Sequence, residues 1–299
     1  MTKKKKKKYN NLVGYAAISP WLFGLFVFTL LPMTASLVLS FTDYNGLTTP
    51  NFIGIDNFIH MFKDDQFWKA MVATFSYVFL LVPARLAFAL LVAMILNTKR
   101  KGVGFYRAAY YLPSLLGGSV AVAVMWKQIF GSDGLINALI STLGFEATKS
   151  WIGNPNTAMG VLALLGVWQF GASMLIFIAG LKQIPTSFYE SSMLDGASKI
   201  KQFFYITLPM LTPTLFFNLI MQTIAAFKVF NEGYIITQGG PLDKTLFYSL
   251  YTYQQSFEYF KMGYGSALAW VLLLIIGSLS LMIFRSSGNW VYYESKGGK

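Results

Sequence analysis

Long windows without a charged residue constrain this chain more than any other feature. Residues 70–98 contain only Arg85, and five other windows contain no Asp, Glu, Lys or Arg: 9–42, 108–126, 150–181, 202–227 and 262–284. Each is long enough for the roughly 20 apolar residues that cross a bilayer as a helix. The sequence therefore predicts an all-α integral membrane protein, with six transmembrane helices near 16–40, 71–96, 108–130, 157–181, 209–231 and 263–284.

The first window could also belong to a cleaved signal peptide, because a run of lysines at residues 3–8 precedes it. A signal peptide has an apolar region of only about 7–15 residues, followed by a small-residue cleavage site. Here the uncharged stretch continues to Thr42. We therefore expect an uncleaved helix at 16–40 after a basic tail at 1–15.

The basic residues are concentrated on one side of the predicted membrane. The net charge of +12 could indicate a nucleic-acid partner, but this asymmetry is what the positive-inside rule produces. It predicts that both termini are cytoplasmic, and that the lysine run is a solvated tail near anionic lipid. The bases on the predicted cytoplasmic side are residues 3–8, Lys99, Arg100, Lys101, Arg107, Lys182, Lys199, Lys201, Arg285, Lys296 and Lys299.

A charged segment at 182–208 separates the fourth and fifth predicted spans. Pro185, Ser187 as N-cap and Glu190 three residues later have the spacing of a capping box. Met193, Ala197 and Ile200 would share one face of the helix, and Gly196 would allow a turn or the close approach of a partner. The pattern predicts a short amphipathic helix that docks on another protein or lies on the lipid interface, and both readings stay open.

The same segment carries a longer spacing pattern. Glu190-Ser191-Ser192 is followed by Gly196 and then by Ile206, Leu208 and Pro209. This resembles the signature loop of bacterial ABC importer permeases, which reads Glu-Ala-Ala, three residues, Gly, nine residues, Ile-x-Leu-Pro. The departure is two serines in place of two alanines. The resemblance implies an ATPase-coupling loop formed by Tyr189, Glu190, Ser191, Ser192, Asp195, Gly196 and Ala197.

Two further stretches extend the resemblance over residues 70–290. Residues 101–113, KGVGFYRAAYYLP, are similar to the entry to the third helix of sugar permeases, and residues 230–241, FNEGYIITQGGP, to the segment after the fifth helix. The chain thus resembles the larger maltose permease type, which implies the type I ABC importer permease fold. The implied organisation is a tail at 1–15, a first helix at 16–40, a permease domain at 70–290 with its coupling loop at 182–208, and a tail at 291–299.

The resemblance also implies partners and a location. It implies import of a sugar or oligosaccharide delivered by an extracellular binding protein, across the plasma membrane of a bacterium. Two ATPase subunits and a second related permease would complete the complex, as a heterodimer of permeases or else a homodimer. No GxxxxGK[ST] phosphate loop occurs in the sequence. We therefore expect this chain to bind no cofactor, with ATP and Mg held by the separate ATPase subunits.

Other functions predict residues that the spans lack. A membrane-embedded enzyme needs clustered acids, bases or metal ligands, and the single histidine, His60, lies outside the predicted spans, so we expect no catalytic and no metal-binding residues. An ion-coupled transporter working alone needs carboxylates inside the membrane, and we expect none. An ABC importer permease for a solute other than a sugar stays open.

A few polar residues inside the spans are candidates for the substrate pathway. Amides bind sugar hydroxyls and aromatic faces stack on sugar C–H surfaces, although amides also join helices to one another. By its resemblance to the maltose permease, the chain would place Gln169 and Gln222 at the sugar site. For Arg85 we expect a structural role that bridges helix ends rather than contact with sugar. The candidates are Trp168, Gln169, Asn218 and Gln222. We interpret three other aromatics as residues of the membrane interface: Trp126, Trp151 and Trp290.

Overall fold

The computed structural model describes residues 2–98, 100–146 and 150–292, so Lys99, Lys149 and most of the predicted C-terminal tail lie outside the described residues, as do the side chains of residues 2–12. Within these ranges the chain is helical, and its only β-type pairing is an isolated bridge between Thr42 and Phe52. Helices suit a membrane, because hydrocarbon offers the backbone no hydrogen-bond partners. The α-helices are α1 (Thr2–Leu25), α2 (Leu31–Leu39), α3 (Asp56–Lys63), α4 (Asp65–Leu96), α5 (Val103–Leu116), α6 (Val120–Ile129), α7 (Leu135–Thr142), α8 (Ala158–Trp168), α9 (Gly171–Leu181), α10 (Thr186–Leu194), α11 (Lys199–Gln202), α12 (Leu208–Phe227), α13 (Tyr248–Tyr253) and α14 (Met262–Trp290), with π-helical segments at Phe26–Leu30, Phe203–Thr207, Glu232–Thr237 and Gln254–Glu258.

Four helical stretches in the described ranges are long and apolar enough to cross a membrane. They are Val13–Leu39, Asp65–Leu96, Lys199–Thr237 and Met262–Trp290. Two bent helix pairs, α5 with α6 and α8 with α9, bring the number to six if each pair forms one span. All six lie at the predicted windows, and the all-α membrane fold is confirmed.

Two of the predicted spans are wrong as continuous helices. The span predicted at 108–130 is divided between α5 and α6, which meet at 95°, and the span predicted at 157–181 is divided between α8 and α9, which meet at 47°. At the first break, Gly117 and Gly118 weaken the helix, and the Ser119 side chain accepts a hydrogen bond from the backbone N–H of Val122 (3.4 Å) as N-cap of α6. Hydropathy windows do not register such breaks, because the broken segments stay apolar.

The larger compact unit, Asp64–Tyr251 with Leu272–Lys299, is organised around α4. This helix begins at an Asp64 N-cap, whose carboxylate accepts from the backbone N–H of Gln66 (2.9 Å). It packs against α8, α9 and α12, and Ala70, Ala89 and Ala93 are fully buried. Small residues allow helices to approach closely inside a membrane, where packing replaces the hydrophobic effect.

The smaller compact unit, Met1–Lys63 with Thr252–Val271, holds the first apolar span. The Asn57 side chain donates to the carbonyls of Ser40 (2.9 Å) and Thr42 (2.8 Å), which lie just beyond the end of α2 and would otherwise lack partners. The carbonyl of Tyr44 accepts from the backbone N–H of Gly263 (2.8 Å). Within the described chain, no residue in the most apolar part of Val13–Leu39 is buried, so this helix presents its surface to lipid or to another chain.

Candidate functional sites

The segment between α9 and α12 is a helix–turn–helix rather than the single amphipathic helix that was predicted. Its first helix, α10, begins after Pro185, which has extended backbone angles (φ −61°, ψ 133°), and no side chain caps it. The predicted capping box is therefore wrong, because Ser187 already lies inside the helix. The face predicted for Met193, Ala197 and Ile200 is also interrupted, because α10 ends at Leu194.

Gly196 makes the turn between the two short helices. Its φ of +74° lies in the left-handed region, which glycine adopts without steric cost. Ala197 donates its backbone N–H to the carbonyl of Ser192 (2.9 Å), and Gly196 donates to that of Met193 (3.0 Å). These two bonds form a Schellman motif. Of the two roles predicted for Gly196, the turn is confirmed.

Side-chain hydrogen bonds hold α10 against α11 and the base of α12. The buried Gln202 donates Nε2 to Ser192 Oγ (3.0 Å), and Ser192 Oγ donates to the carbonyl of Tyr189 (2.9 Å). The Tyr189 hydroxyl lies 2.9 Å from Thr207 Oγ1. Ser192, one of the two departures from the Glu-Ala-Ala pattern, thus joins both helices. Because residues 199–227 continue from α11 through the π-helical segment into α12, this motif is attached directly to a membrane span.

The outer surface of the helix–turn–helix carries apolar side chains that nothing in the described chain covers. Leu194 is 90% exposed, Ile200 72% and Met193 52%. Glu190 and Asp195 are exposed beside them. An apolar surface with charged flanks, on a short rigid motif, has the features of a docking element.

A second group of polar residues lies inside the spans, around Arg85. Its Nε donates to the carbonyl of Gly166 (2.6 Å) near the end of α8, and its Nη1 donates to Gln222 Oε1 on α12 (2.6 Å). Gln222 Nε2 donates in turn to Ser173 Oγ on α9 (2.9 Å). The expectation that Arg85 bridges helices is confirmed.

Arg85 also lines a cavity of about 240 Å³ with Gln169, Lys228, Asn231 and Glu232. Glu232 lies just beyond the predicted fifth span and within the helical stretch Lys199–Thr237, so the cavity places a carboxylate next to Arg85 that the sequence analysis did not single out. The predicted fifth span ended one residue before Glu232. In the structure α12 is interrupted at residues 228–230, and the chain then resumes as a π-helical segment. The signal in the sequence was an acid directly adjoining the predicted fifth span.

Of the other candidate pathway residues, one lines the cavity and two do not. Gln169 lines the cavity, and its buried Nε2 has no hydrogen-bond partner in the described chain. Both amide atoms of the fully buried Asn218 likewise lack a partner there. Trp168 packs its ring 5.9 Å from that of Trp126. Trp126 is buried and donates to the carbonyl of Val161 (3.2 Å), so it also joins α6 to α8; its prediction as an interface aromatic stays a prediction.

Broken apolar helices around a charged cavity indicate the class of protein. Irregular backbone at membrane depth is tolerated only where protein buries it or where it lines a cavity, and discontinuous helices of this kind form solute sites in transporters. The fold and the cavity therefore define a multi-span membrane transport protein.

Comparison with known proteins gives the family. Residues 63–286 match the family described as "Binding-protein-dependent transport system inner membrane component", and the chain belongs to it. It is 54% identical to the probable ABC transporter permease protein YesP of Bacillus subtilis, over 99% of this chain and 97% of that one. It is 30% identical to the lactose transport system permease protein LacF of Rhizobium radiobacter, over 94% and 96% of the two chains. Membership makes the chain a transport subunit rather than an enzyme, as expected.

The fold is also similar to that of a solved importer. A crystal structure of a bacterial ABC transporter involved in the import of the acidic polysaccharide alginate contains a chain that aligns with a TM-score of 0.81 at 19% identity, covering 95% of this chain and 98% of that one. This likeness confirms the predicted ABC importer permease fold.

Proposed function

We propose that this chain is the permease subunit through which an ATP-driven importer moves a sugar or oligosaccharide into the cytoplasm. The observation that carries the proposal is the rigid helix–turn–helix of α10 and α11, which ends in a membrane span and exposes Leu194 and Ile200. A motif of this shape transmits movement from a docked partner to the span. The lactose transport role named for LacF supports a sugar as the solute.

The coupling partner is an ATPase, with one copy beneath each of two permeases. Tyr189, Glu190, Ser191, Ser192, Asp195, Gly196 and Ala197 form the proposed contact region, and ATP and Mg are bound by the ATPase subunits. The competing role is an interfacial helix that lies on lipid. The Schellman turn and the Gln202–Ser192 bond favour docking, because they fix the motif in one conformation.

The substrate pathway passes the charged cavity. Gln169 is its best-placed contact, because the Nε2 donor has no partner in the described chain and buried donors gain from a sugar hydroxyl. Gln222 is already bonded to Arg85 and Ser173, so sugar contact there requires an exchange of partners. Trp168 and Asn218 complete the proposed pathway, although neither lines the cavity.

Radiolabelled-sugar uptake by the reconstituted complex tests this function. The complex contains this chain, its permease and ATPase partners and the extracellular binding protein, and the panel runs from monosaccharides to oligosaccharides. We expect ATP-dependent uptake of one class of sugar, and none when the binding protein is left out. ATP-independent uptake, or ATP-dependent uptake of a non-sugar solute only, would contradict the proposal.

Both termini are proposed to lie in the cytoplasm, because the bases cluster at one end of the spans. A reporter inserted in residues 131–153 is expected to report an external location, and one inserted in residues 98–102 a cytoplasmic one. Alkaline phosphatase and a fluorescent protein, which are active on opposite sides of the membrane, give complementary readouts. A cytoplasmic signal from residues 131–153 would reverse the orientation.

The permease pair is proposed to be a heterodimer of two related chains. The described part of a single chain offers no more than six spans, and within that part the surface of Val13–Leu39 is left uncovered. Purification through a tag on this chain is expected to recover a second permease species in equal amount. An active complex that contains this permease alone would instead establish a homodimer.

A further inference from the structure

A groove of about 430 Å³ opens where α4 ends and α5 begins. One wall comes from α4, through Val92 and Ile95, and the other from α5, through Tyr106 and Tyr110. Val92 is buried, but Ile95 is 66% exposed, Tyr106 56% and Tyr110 44%. Both helices belong to candidate spans, so these exposed walls suit an apolar occupant.

The end of the groove is strongly basic. Arg100 and Lys101, on the connection between the two helices, line it. Nearby, Arg107 donates Nη2 to the carbonyl of Leu96 at the end of α4 (2.7 Å), while its buried Nε has no partner in the described chain. No acid lines the groove, and the sequence has no Asp or Glu between Asp65 and Asp133.

The backbone adds to this positive field. α5 begins after Gly102, whose φ of +84° turns the chain and which supplies no side-chain cap. The positive end of the α5 helix dipole therefore lies at the basic connection. Exposed apolar walls that run along the spans, and positive charge at their end, together match one kind of molecule: an anion attached to hydrocarbon chains.

We propose that this groove binds an anionic phospholipid. Its phosphate lies at Arg100 and Lys101, and an acyl chain runs along Ile95, Tyr106 and Tyr110. Basic pockets between transmembrane helices bind anionic headgroups in this way. A bound lipid covers the exposed wall and neutralises a cluster of bases for which the groove supplies no acid.

Native mass spectrometry of the purified complex measures this binding directly. We expect phosphatidylglycerol to bind more tightly than phosphatidylcholine with the same acyl chains. Replacing both bases, Arg100→Gln with Lys101→Gln, should weaken phosphatidylglycerol binding about tenfold or more. Ile95→Trp should also weaken it, by filling the groove without changing a charge. Arg285→Gln, at an exposed base near the end of α14, is the matched control and should have no effect.

Each alternative occupant gives its own result. Equal binding of the two lipids, or an equal loss in Arg285→Gln, would mean only diffuse attraction and would overturn the proposal. Displacement of the lipid by inorganic phosphate would mean a simple anion site. The chain has no cysteine, so Ile95→Cys gives a single label. An efficient cross-link from it to a second permease chain would mean a protein interface and would equally overturn the lipid site.

Discussion

Replacing Gly196 with aspartate is expected to reduce sugar uptake to background while the permease still inserts in the membrane. The position has φ +74°, and a Cβ there would meet no atom of this chain within 4 Å. A new side chain would therefore point away from the permease, toward the surface that the proposed ATPase covers. Aspartate adds bulk and places a second negative charge beside Asp195, so we expect the ATPase to uncouple or dissociate.

Three further variants separate the possible causes of this loss. Gly196→Asn matches aspartate in size, tolerates the left-handed region well and adds no charge. Gly196→Ala adds one carbon but strains the turn by about 1–2 kcal/mol. Glu190→Ala removes an exposed charge without adding bulk and should be milder, because exposed ion pairs contribute only about 0–1 kcal/mol.

Uptake, expression level and ATPase co-purification are measured together for all four variants. If docking requires a close fit, Gly196→Asn should lose most uptake and Gly196→Ala should keep part of it. If Gly196→Ala is as defective as Gly196→Asp, the turn itself is the critical feature. Normal uptake by Gly196→Asp at normal expression would mean that the segment lies on lipid, and the docking proposal would fail.

The sequence predicts the spans well because each depends on a single strong signal. An apolar window of membrane length has few alternatives to a transmembrane helix, and the helices at Asp65–Leu96 and Met262–Trp290 overlap their predicted positions. The break between α8 and α9 was missed because it depends on tertiary contacts. At Gly171, for example, a Cβ would lie 2.6 Å from Tyr111 Cα and 2.9 Å from Ser114 Oγ, and no periodicity in one helix shows how near another helix lies.

The candidate sites were predicted in part for similar reasons. Spacing along the chain placed Gly196 at a turn, since only local backbone geometry is involved. It did not show that Ser192 bonds to Gln202, because that contact forms only after the turn has brought the two helices together. It also missed Glu232, because the span end was drawn where the apolar run stopped, whereas the helical stretch continues to Thr237.

Arg85→Met is expected to destabilise the permease and to abolish most uptake. It leaves the carbonyl of Gly166 and Gln222 Oε1 without the donor that now lies 2.6 Å from each. Hydrogen bonds to charged groups contribute about 1.5–3 kcal/mol each, so the melting temperature of the complex should fall by several degrees. Gln222→Met removes one acceptor but keeps the bond to Gly166, and its effect should be smaller. A melting temperature unchanged in Arg85→Met would contradict the bridging role.

A second variant decides whether the charge of Arg85 matters as well as its hydrogen bonds. Glu232 lines the same cavity, and the two opposite charges attract across it. Without Arg85 the carboxylate keeps only Lys228 as a cation in the cavity lining, and a poorly paired charge inside a membrane is costly. Glu232→Gln should therefore restore part of the stability and uptake lost in Arg85→Met, and a double-mutant cycle measures that coupling.

Arg85→Lys keeps the charge but not the planar fork that reaches two helices. It should therefore retain the coupling to Glu232 while losing the hydrogen bonds that bridge the helices. Additive effects of Arg85→Met and Glu232→Gln would leave Arg85 as a hydrogen-bonding bridge alone, whereas rescue would establish a balanced pair of charges in the cavity.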